Sequence, residues 1–152
     1  MQQPEVTVIS LSDPITAIGK IYTGDYGKAQ QYIMNVMELL AQKNIPFIPN
    51  KVMGVYYDDP TRKKTEELTS FQGVFPSNGS ISVDDPLTEM SISGSCLYIK
   101  VSGDPVKSIY EGYSAIFNYI RENNIVLKST AGYQVSTFEN GIITTEIYME
   151  SK

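Results

Sequence analysis

Tyrosine is the residue type whose abundance and placement suggest chemistry in this chain. Eleven of the 152 residues are tyrosine, and there is no tryptophan. A tyrosyl ring has a flat apolar face and a polar hydroxyl, so several rings together can hold a planar or cationic organic molecule by stacking and cation–π contact. For any single ring, core packing is the competing interpretation. The aromatic residues expected to share a surface are Tyr56, Tyr57, Phe71, Phe75, Tyr110, Tyr113, Tyr133 and Tyr148.

Carboxylates near these rings are the second candidate chemical groups. Asp58 and Asp59 lie at a turn directly after two tyrosines. Glu146 and Glu150 lie in the last predicted strand, where alternation places them on the same face as Tyr148. A carboxylate beside a tyrosine can balance a cationic ligand or accept a proton. Solvent exposure is the alternative for each of the four.

Two absences restrict the functions that are possible. The chain has no histidine, which removes the commonest metal ligand and the commonest general base near neutral pH. Its one cysteine, Cys96, cannot form an intrachain disulfide or a thiolate metal cluster, and its apolar neighbours predict a buried strand thiol. We therefore expect no metal and no cofactor.

Charge and hydropathy indicate the expected surroundings of the protein. The net charge is −5, whereas proteins that neutralise phosphates carry a basic excess, so direct nucleic-acid binding is not expected. The apolar stretches are too short for a membrane span, and no charged-then-apolar leader opens the sequence. A cytoplasmic location without membrane contact is the resulting expectation.

The first half of the chain has the pattern of a strand, a helix and two further strands. Residues 6–11 and 15–22 have extended patterns, and apolar residues at three- and four-residue spacing predict a helix over 26–43. Strands over 51–57 and 68–75 follow.

The second half repeats this order. A long strand or bent pair of strands is predicted over 87–102, and a helix begins at Pro105 and ends near residue 123. Residues 133–138 and 142–149 are predicted to form a closing hairpin.

Turn and capping residues mark the joints between these elements. Asp25 and Asp104 are placed to cap the two helices. Residues 139–141 supply the turn of the last hairpin. The charged stretch 61–67 is interpreted as a solvated connection, and the polar segment 76–86 is the candidate linker at mid-chain.

The two halves also match in sequence at a few positions. Gly24 and Asp25 correspond to Gly103 and Asp104, and, after a one-residue slip, Gly54 corresponds to Gly132. We therefore predict one α+β domain over residues 1–152, with halves at about 5–76 and 87–150. Two pseudo-symmetric β-α-β-β units would share an antiparallel sheet, with two long helices on one face and a ligand groove on the other.

Several short motifs resemble those of a known family when taken in order. Thr23-Gly24 precedes the first helix, Tyr-Tyr-Asp-Asp-Pro occupies 56–60, Gly103 precedes a tyrosine-rich second helix, and Thr-Glu-Ile-Tyr-Met occupies 145–149. Over about residues 5 to 150 the chain resembles the GyrI-like family. That family includes DNA gyrase inhibitor proteins and the effector-binding domains of bacterial transcription activators.

The resemblance implies a ligand groove but also shows one departure. Members bind bulky, often cationic or aromatic drug-like compounds between the halves, and the family motifs place pocket tyrosines at Tyr56, Tyr57 and Tyr148. In the penultimate strand Gln134 stands where members usually carry a buried glutamate, and Ser136 stands where they carry a tyrosine. Glutamine can neither neutralise a cation nor act as a base.

Three functions are compatible with this sequence. The first is a stand-alone effector-binding domain for aromatic or cationic small molecules, linked to transcription regulation or to the response to foreign compounds. The second, a hydrolase of reactive electrophiles, is disfavoured by the missing glutamate. The third is a regulator that binds a protein partner, either a gyrase or a transcription factor. The predicted groove is lined by Tyr56, Tyr57, Phe71, Tyr110, Tyr113, Gln134 and Tyr148.

Overall fold

The first half of the chain folds as a strand, a helix and two strands. The structure is a computed structural model that describes residues 5–78 and 82–152, so residues 79–81 of the predicted linker lie outside the described residues. Strand β1 is Thr7–Thr23, helix α1 is Ala29–Gln42, and strands β2 and β3 are Phe47–Tyr56 and Thr69–Pro76. The two extended runs predicted at the start are thus one continuous strand.

The second half has the same order of elements. Strand β4 is Thr88–Ser102, helix α2 is Pro105–Asn123, and strands β5 and β6 are Gly132–Glu139 and Ile142–Glu150. The β-α-β-β order predicted for each half is therefore confirmed. The six strand pairings formed by the described residues are all antiparallel.

The cap of α2 and the hairpin turn form as predicted, whereas Asp25 caps a short 3-10 turn before α1 and not α1 itself. The Asp25 carboxylate accepts the backbone N–H of Gly27 at 2.9 Å and opens a short 3-10 turn that leads into α1. Asp104 accepts the N–H of Val106 at 3.1 Å at the start of α2. Asn140 and Gly141 both have positive φ, 52° and 74°, which suits the tight turn between β5 and β6.

The sheet closes on itself, which differs from the open groove predicted on the face opposite the helices. Its strand order is β1-β3-β2-β5-β6-β4, and β4 pairs back onto β1. Strands β1 and β4 contain 17 and 15 residues, so each is long enough to pair with two neighbours along different segments. A register shift between Leu11 and Ile15, around Asp13-Pro14, bends β1. The face that we expected to be open is therefore the interior of a six-stranded barrel.

Apolar side chains fill the barrel and also cover its outer, helix-bearing face. Inside, the buried cluster includes Val55, Phe71, Ile92, Cys96 and Tyr133. Outside, α1 packs Val36 and Leu40 on Ile18, Val74 and Leu87, while α2 packs Ile116 on Leu97, Ile99 and Ile147. We call these two sides the barrel interior and the helix face. Within residues 5–78 and 82–152, no helix is long and apolar enough to cross a membrane.

Packing of α2 on the helix face predicts the effect of one core substitution. Ile116 is fully buried, so Ile116→Ala removes its packing and leaves a cavity. We expect the free energy of unfolding in urea to fall by about 2–5 kcal/mol. Val106→Ala is the matched control, because Val106 lies on the same helix and is 82% exposed; its effect should stay within about 0.5 kcal/mol. Equal effects of the two substitutions would contradict this assignment of the buried face.

Candidate functional site

A cavity of about 760 Å³ lies on the helix face, beside α2 and the ends of β2 and β5. This volume is within the usual range for sites that hold drug-sized molecules, roughly 300–1,000 Å³. Five aromatic rings surround it, and they are contributed by different elements. The lining residues are Tyr26, Tyr56, Tyr57, Asp58, Asp59, Pro60, Arg62, Tyr113, Phe117, Thr130, Gly132, Gln134 and Met149.

Glycines on neighbouring strands leave room for the rings. On β5, a Cβ atom added to Gly132 would collide with the Tyr113 hydroxyl. On β2, a Cβ atom added to Gly54 would lie 2.7 Å from the Tyr56 hydroxyl. Gly132 is the register partner of Tyr56, and Gly54 is the partner of Gln134. The two tyrosyl rings therefore lie directly on the sheet because these positions carry no side chain.

The polar groups at the floor of the cavity are uncharged. The Gln134 side-chain Nε2 donates a hydrogen bond to the Tyr113 hydroxyl at 2.8 Å. Burial raises the pKa of Tyr113 to about 12, and it also raises the pKa of Tyr56. Both phenols remain protonated near neutral pH, so an amide and two neutral hydroxyls face the space.

Tyr26 joins the rim of the cavity to its aromatic wall. Its hydroxyl accepts the backbone N–H of Asp58 at 2.9 Å and lies 3.2 and 3.0 Å from the carbonyl oxygens of Asp58 and Thr69. Its ring meets that of Tyr56 edge to face, with centroids 4.9 Å apart and an interplanar angle of 77°. These contacts fix the connection after β2 against the turn before α1.

The carboxylates of the rim are each paired with a cation. One oxygen of Asp58 lies 3.0 Å from the Lys63 ammonium, and the other accepts the Thr69 N–H at 2.7 Å. The pKa of Asp58 is below its usual range, mainly because the carboxylate accepts the Thr69 N–H and secondly because Lys63 lies beside it. Asp59 lies 3.7 Å from the Arg62 guanidinium. The predicted solvated connection thus supplies cations to the acidic turn.

Four of the seven predicted groove residues line this cavity, namely Tyr56, Tyr57, Tyr113 and Gln134. Tyr57 stands at the border, since its ring also packs on the barrel cluster and its hydroxyl lies 3.7 Å from the Met90 sulfur.

The other three predicted residues lie elsewhere. Phe71 and Tyr148 are in the barrel interior, because alternation along β3 and β6 turns them away from the helices. Tyr110 is 74% exposed on the outer side of α2.

Sequence reasoning missed several residues of the lining. Tyr26 follows the capping Asp25, and that position gave no sign that its ring turns toward β2. Phe117 follows Tyr113 by four residues, so helical spacing did contain a signal that the two rings are neighbours. Their centroids are 6.4 Å apart. Met149, rather than Tyr148, is the residue of β6 that borders the cavity.

Glu146 and Glu150 point into the barrel interior, where tyrosines bind them. Glu146 Oε2 accepts the Tyr98 hydroxyl at 2.7 Å and lies 3.4 Å from that of Tyr148. Glu150 Oε1 accepts the Tyr133 hydroxyl at 3.0 Å. Burial, reinforced by the neighbouring carboxylates, raises the pKa of all three tyrosines.

A second cavity, of about 320 Å³, borders Glu146. Lys100, the register partner of Glu146, also lines it. As for metals, the residues that the structure describes contain no group of three or more histidine, cysteine, aspartate or glutamate side chains placed to hold an ion.

The fold is shared with domains of known structure. No family model matches the sequence, and no curated protein matches it either. The C-terminal domain of EcmrR matches with a TM-score of 0.69 at 13% identity, over 99% of this chain and 97% of that one. In the cryo-EM structure of the EcmrR–DNA complex the TM-score is 0.70 at 12% identity, and the match covers 99% of this chain but 57% of the EcmrR chain.

Two proteins from Listeria innocua share the fold as well. An uncharacterized conserved protein matches with a TM-score of 0.68 at 7% identity, over 97% of this chain and 92% of that one. A hydrolase matches with a TM-score of 0.61 at 8% identity and the same coverage. Identities this low show a common fold alone, so the resemblance to the GyrI-like family is supported at the level of the fold.

The buried phenol of Tyr113 predicts a dependence of stability on alkaline pH. Its pKa is about 12 in the folded chain and 10.0 when unperturbed, so the unfolded chain loses this proton first. The stabilising contribution is complete below about pH 10 and is lost as pH rises toward about 12. The stability advantage of the wild type over Tyr113→Phe should therefore shrink across that window. Urea unfolding at several pH values tests this, and an advantage that is constant or grows would contradict it.

Proposed function

We propose that this protein is an effector-binding domain that holds a small aromatic molecule in the cavity on the helix face. The observation that carries the proposal is the arrangement of five aromatic rings around one space of about 760 Å³. The floor of this space carries a hydrogen-bonded amide and phenol. Large apolar area with a few fixed polar groups is the usual composition of a small-molecule site.

The arrangement of the rings favours a flat ligand. The ring planes of Tyr113 and Phe117 are inclined by only 24°, while the rings of Tyr56 and Tyr26 meet edge to face. A planar molecule placed among these walls can stack on some rings and contact the edges of others. Each aromatic pair of this kind contributes about 0.5–1.5 kcal/mol beyond the area that it buries.

A link to transcription regulation is supported by the fold. EcmrR, whose C-terminal domain has this fold, is known in complex with DNA. The present chain has a net charge of −5, which opposes direct contact with nucleic acid. We therefore propose that it acts in the cytoplasm on a ligand, and that any regulatory output passes through a protein partner such as a transcription factor or a gyrase.

The aromatic wall can be tested by a matched pair of substitutions on α2. Phe117 lines the cavity, whereas Tyr110 lies on the same helix and points to solvent. We expect Phe117→Ala to raise the dissociation constant of a planar aromatic ligand by about 5–30-fold, equivalent to about 1–2 kcal/mol. Tyr110→Ala should leave it unchanged. Quenching of tyrosine fluorescence reports binding, since the chain has no tryptophan.

Two results would count against a binding function in this cavity. One is a panel of planar aromatic compounds, neutral and cationic, that fails to bind the folded wild type above background. The other is an equal loss of affinity in both α2 variants, which would place the ligand elsewhere.

A hydrolase is the second candidate, and the tyrosine-bound Glu146 is the observation that favours it. A carboxylate near neutral phenols can activate water while a phenol donates a proton to the leaving oxygen. Glu146 borders a cavity of its own, and one protein of similar fold is a hydrolase. Against this, Gln134 at the floor of the larger cavity cannot act as a base.

Incubation with a strained epoxide, in which water adds across the C–O bond to give a diol, separates the two candidates. We expect little turnover above the uncatalysed rate in the wild type. Turnover that disappears in Glu146→Gln but persists in Gln134→Leu would instead assign hydrolysis to the barrel interior. Chromatographic measurement of the diol provides the readout.

A further inference from the structure

We propose that the ligand of the cavity on the helix face is an uncharged, planar aromatic molecule with a hydrogen-bond acceptor, and not a cation. This inference rests on the proposed binding function and specifies the chemistry of its ligand. A cation-binding site requires an available negative charge. The inference follows from the positions of the carboxylates, which do not supply one at the floor of the cavity.

The floor of the cavity offers no charge to a cation. Gln134 is an uncharged amide, and one Nε2–H donates a hydrogen bond to the Tyr113 hydroxyl at 2.8 Å. Tyr113 remains a neutral phenol far above neutral pH. A cation that settled on this floor would give up its hydration without meeting a counter-charge, which is unfavourable in a partly buried space.

Each carboxylate at the rim lies within salt-bridge distance of a cationic side chain of the chain itself. The two acids in the lining, Asp58 and Asp59, lie beside Lys63 and Arg62 respectively. The second oxygen of Asp58 is held by the Thr69 N–H. The formal charges of these four side chains therefore sum to zero, and each rim carboxylate has a cation nearby.

The two glutamates that the sequence suggested as counter-ions point away from the cavity. Glu146 and Glu150 extend into the barrel, where Tyr98, Tyr148 and Tyr133 bind them. The sheet itself stands between these carboxylates and the cavity, because Met149 is the neighbour on β6 that faces the helices. A molecule bound on the helix face cannot form a direct ion pair with either glutamate.

The aromatic rings are the remaining groups that could attract a cation. They do not discriminate strongly between cationic and neutral planar ligands. Cation–π contact is strongest when a carboxylate completes the cage or when the ring faces are desolvated around the charge. Stacking on the same rings is available to a neutral molecule, which does not lose the hydration of an ion. The balance therefore favours a neutral ligand.

The Tyr113 hydroxyl indicates the polar group that the ligand should carry. It accepts a hydrogen from Gln134, and the contacts within the described part of the chain give its own proton no acceptor. A carbonyl oxygen on the ligand would complete this pair. A planar aromatic ketone or lactam fits the cavity, its walls and this donor.

Acridone and N-methylacridinium test the inference, since both are planar three-ring molecules and only the second is a cation. In calorimetric titrations of the wild-type protein, we expect acridone to bind at least about tenfold more tightly. Gln134→Glu places a carboxylate at the floor and should tighten binding of N-methylacridinium by at least tenfold relative to wild type. Tyr110→Glu adds the same charge on the exposed side of α2 and should change neither affinity by more than about twofold.

The wild-type comparison decides the proposal even if Gln134→Glu does not fold. Binding of N-methylacridinium within tenfold of acridone, or tighter than it, would overturn the preference for neutral ligands and leave the binding function intact. If neither compound binds, the binding function proposed for the cavity is overturned as well. Equal tightening of cation binding by Gln134→Glu and Tyr110→Glu would show that net charge, not the floor of the cavity, controls selectivity.

Discussion

Pairing between β1 and β4 closes the sheet, and the rest of the molecule depends on this contact. It runs from Thr7 opposite Tyr98 to Gly19 opposite Thr88 and joins the first strand of each half. Closure pairs each of the two long strands with two neighbours along different segments and turns one face of the sheet into an enclosed core. Large rings such as Phe71 then pack inside the barrel, and the cavity of about 760 Å³ lies on the helix face.

The helix face can hold that cavity because small residues and rings alternate across its strands. Gly132 on β5 lies opposite Tyr56 on β2, and Gly54 on β2 lies opposite Gln134 on β5. Each glycine removes the side chain that would otherwise lift a tyrosyl ring off the sheet. The same positions therefore serve the packing of α2 and the shape of the proposed ligand site.

Local patterns were enough to predict the helices, the strands and the cap of α2, since periodicity and the carboxylate of Asp104 act over a few residues. Closure could not be predicted in this way, because the β1–β4 contact joins segments about eighty residues apart and leaves no local signature. The residues of the candidate site were predicted incompletely for the same reason. Alternation separates Tyr148 from Met149 on β6, but it does not say which face borders a cavity.

The tyrosine residues have different structural roles on the two faces of this sheet. Inside the barrel, a carboxylate such as Glu146 or Glu150 would be costly without partners, and tyrosyl hydroxyls supply them. On the helix face, Tyr113 is hydrogen-bonded to the Gln134 amide rather than to a carboxylate, and Tyr56 and Tyr113 both line the cavity. Glu146 and Glu150 are thus bound by tyrosines inside the barrel, so stacking and hydrogen bonding are the interactions available at the proposed ligand site on the helix face.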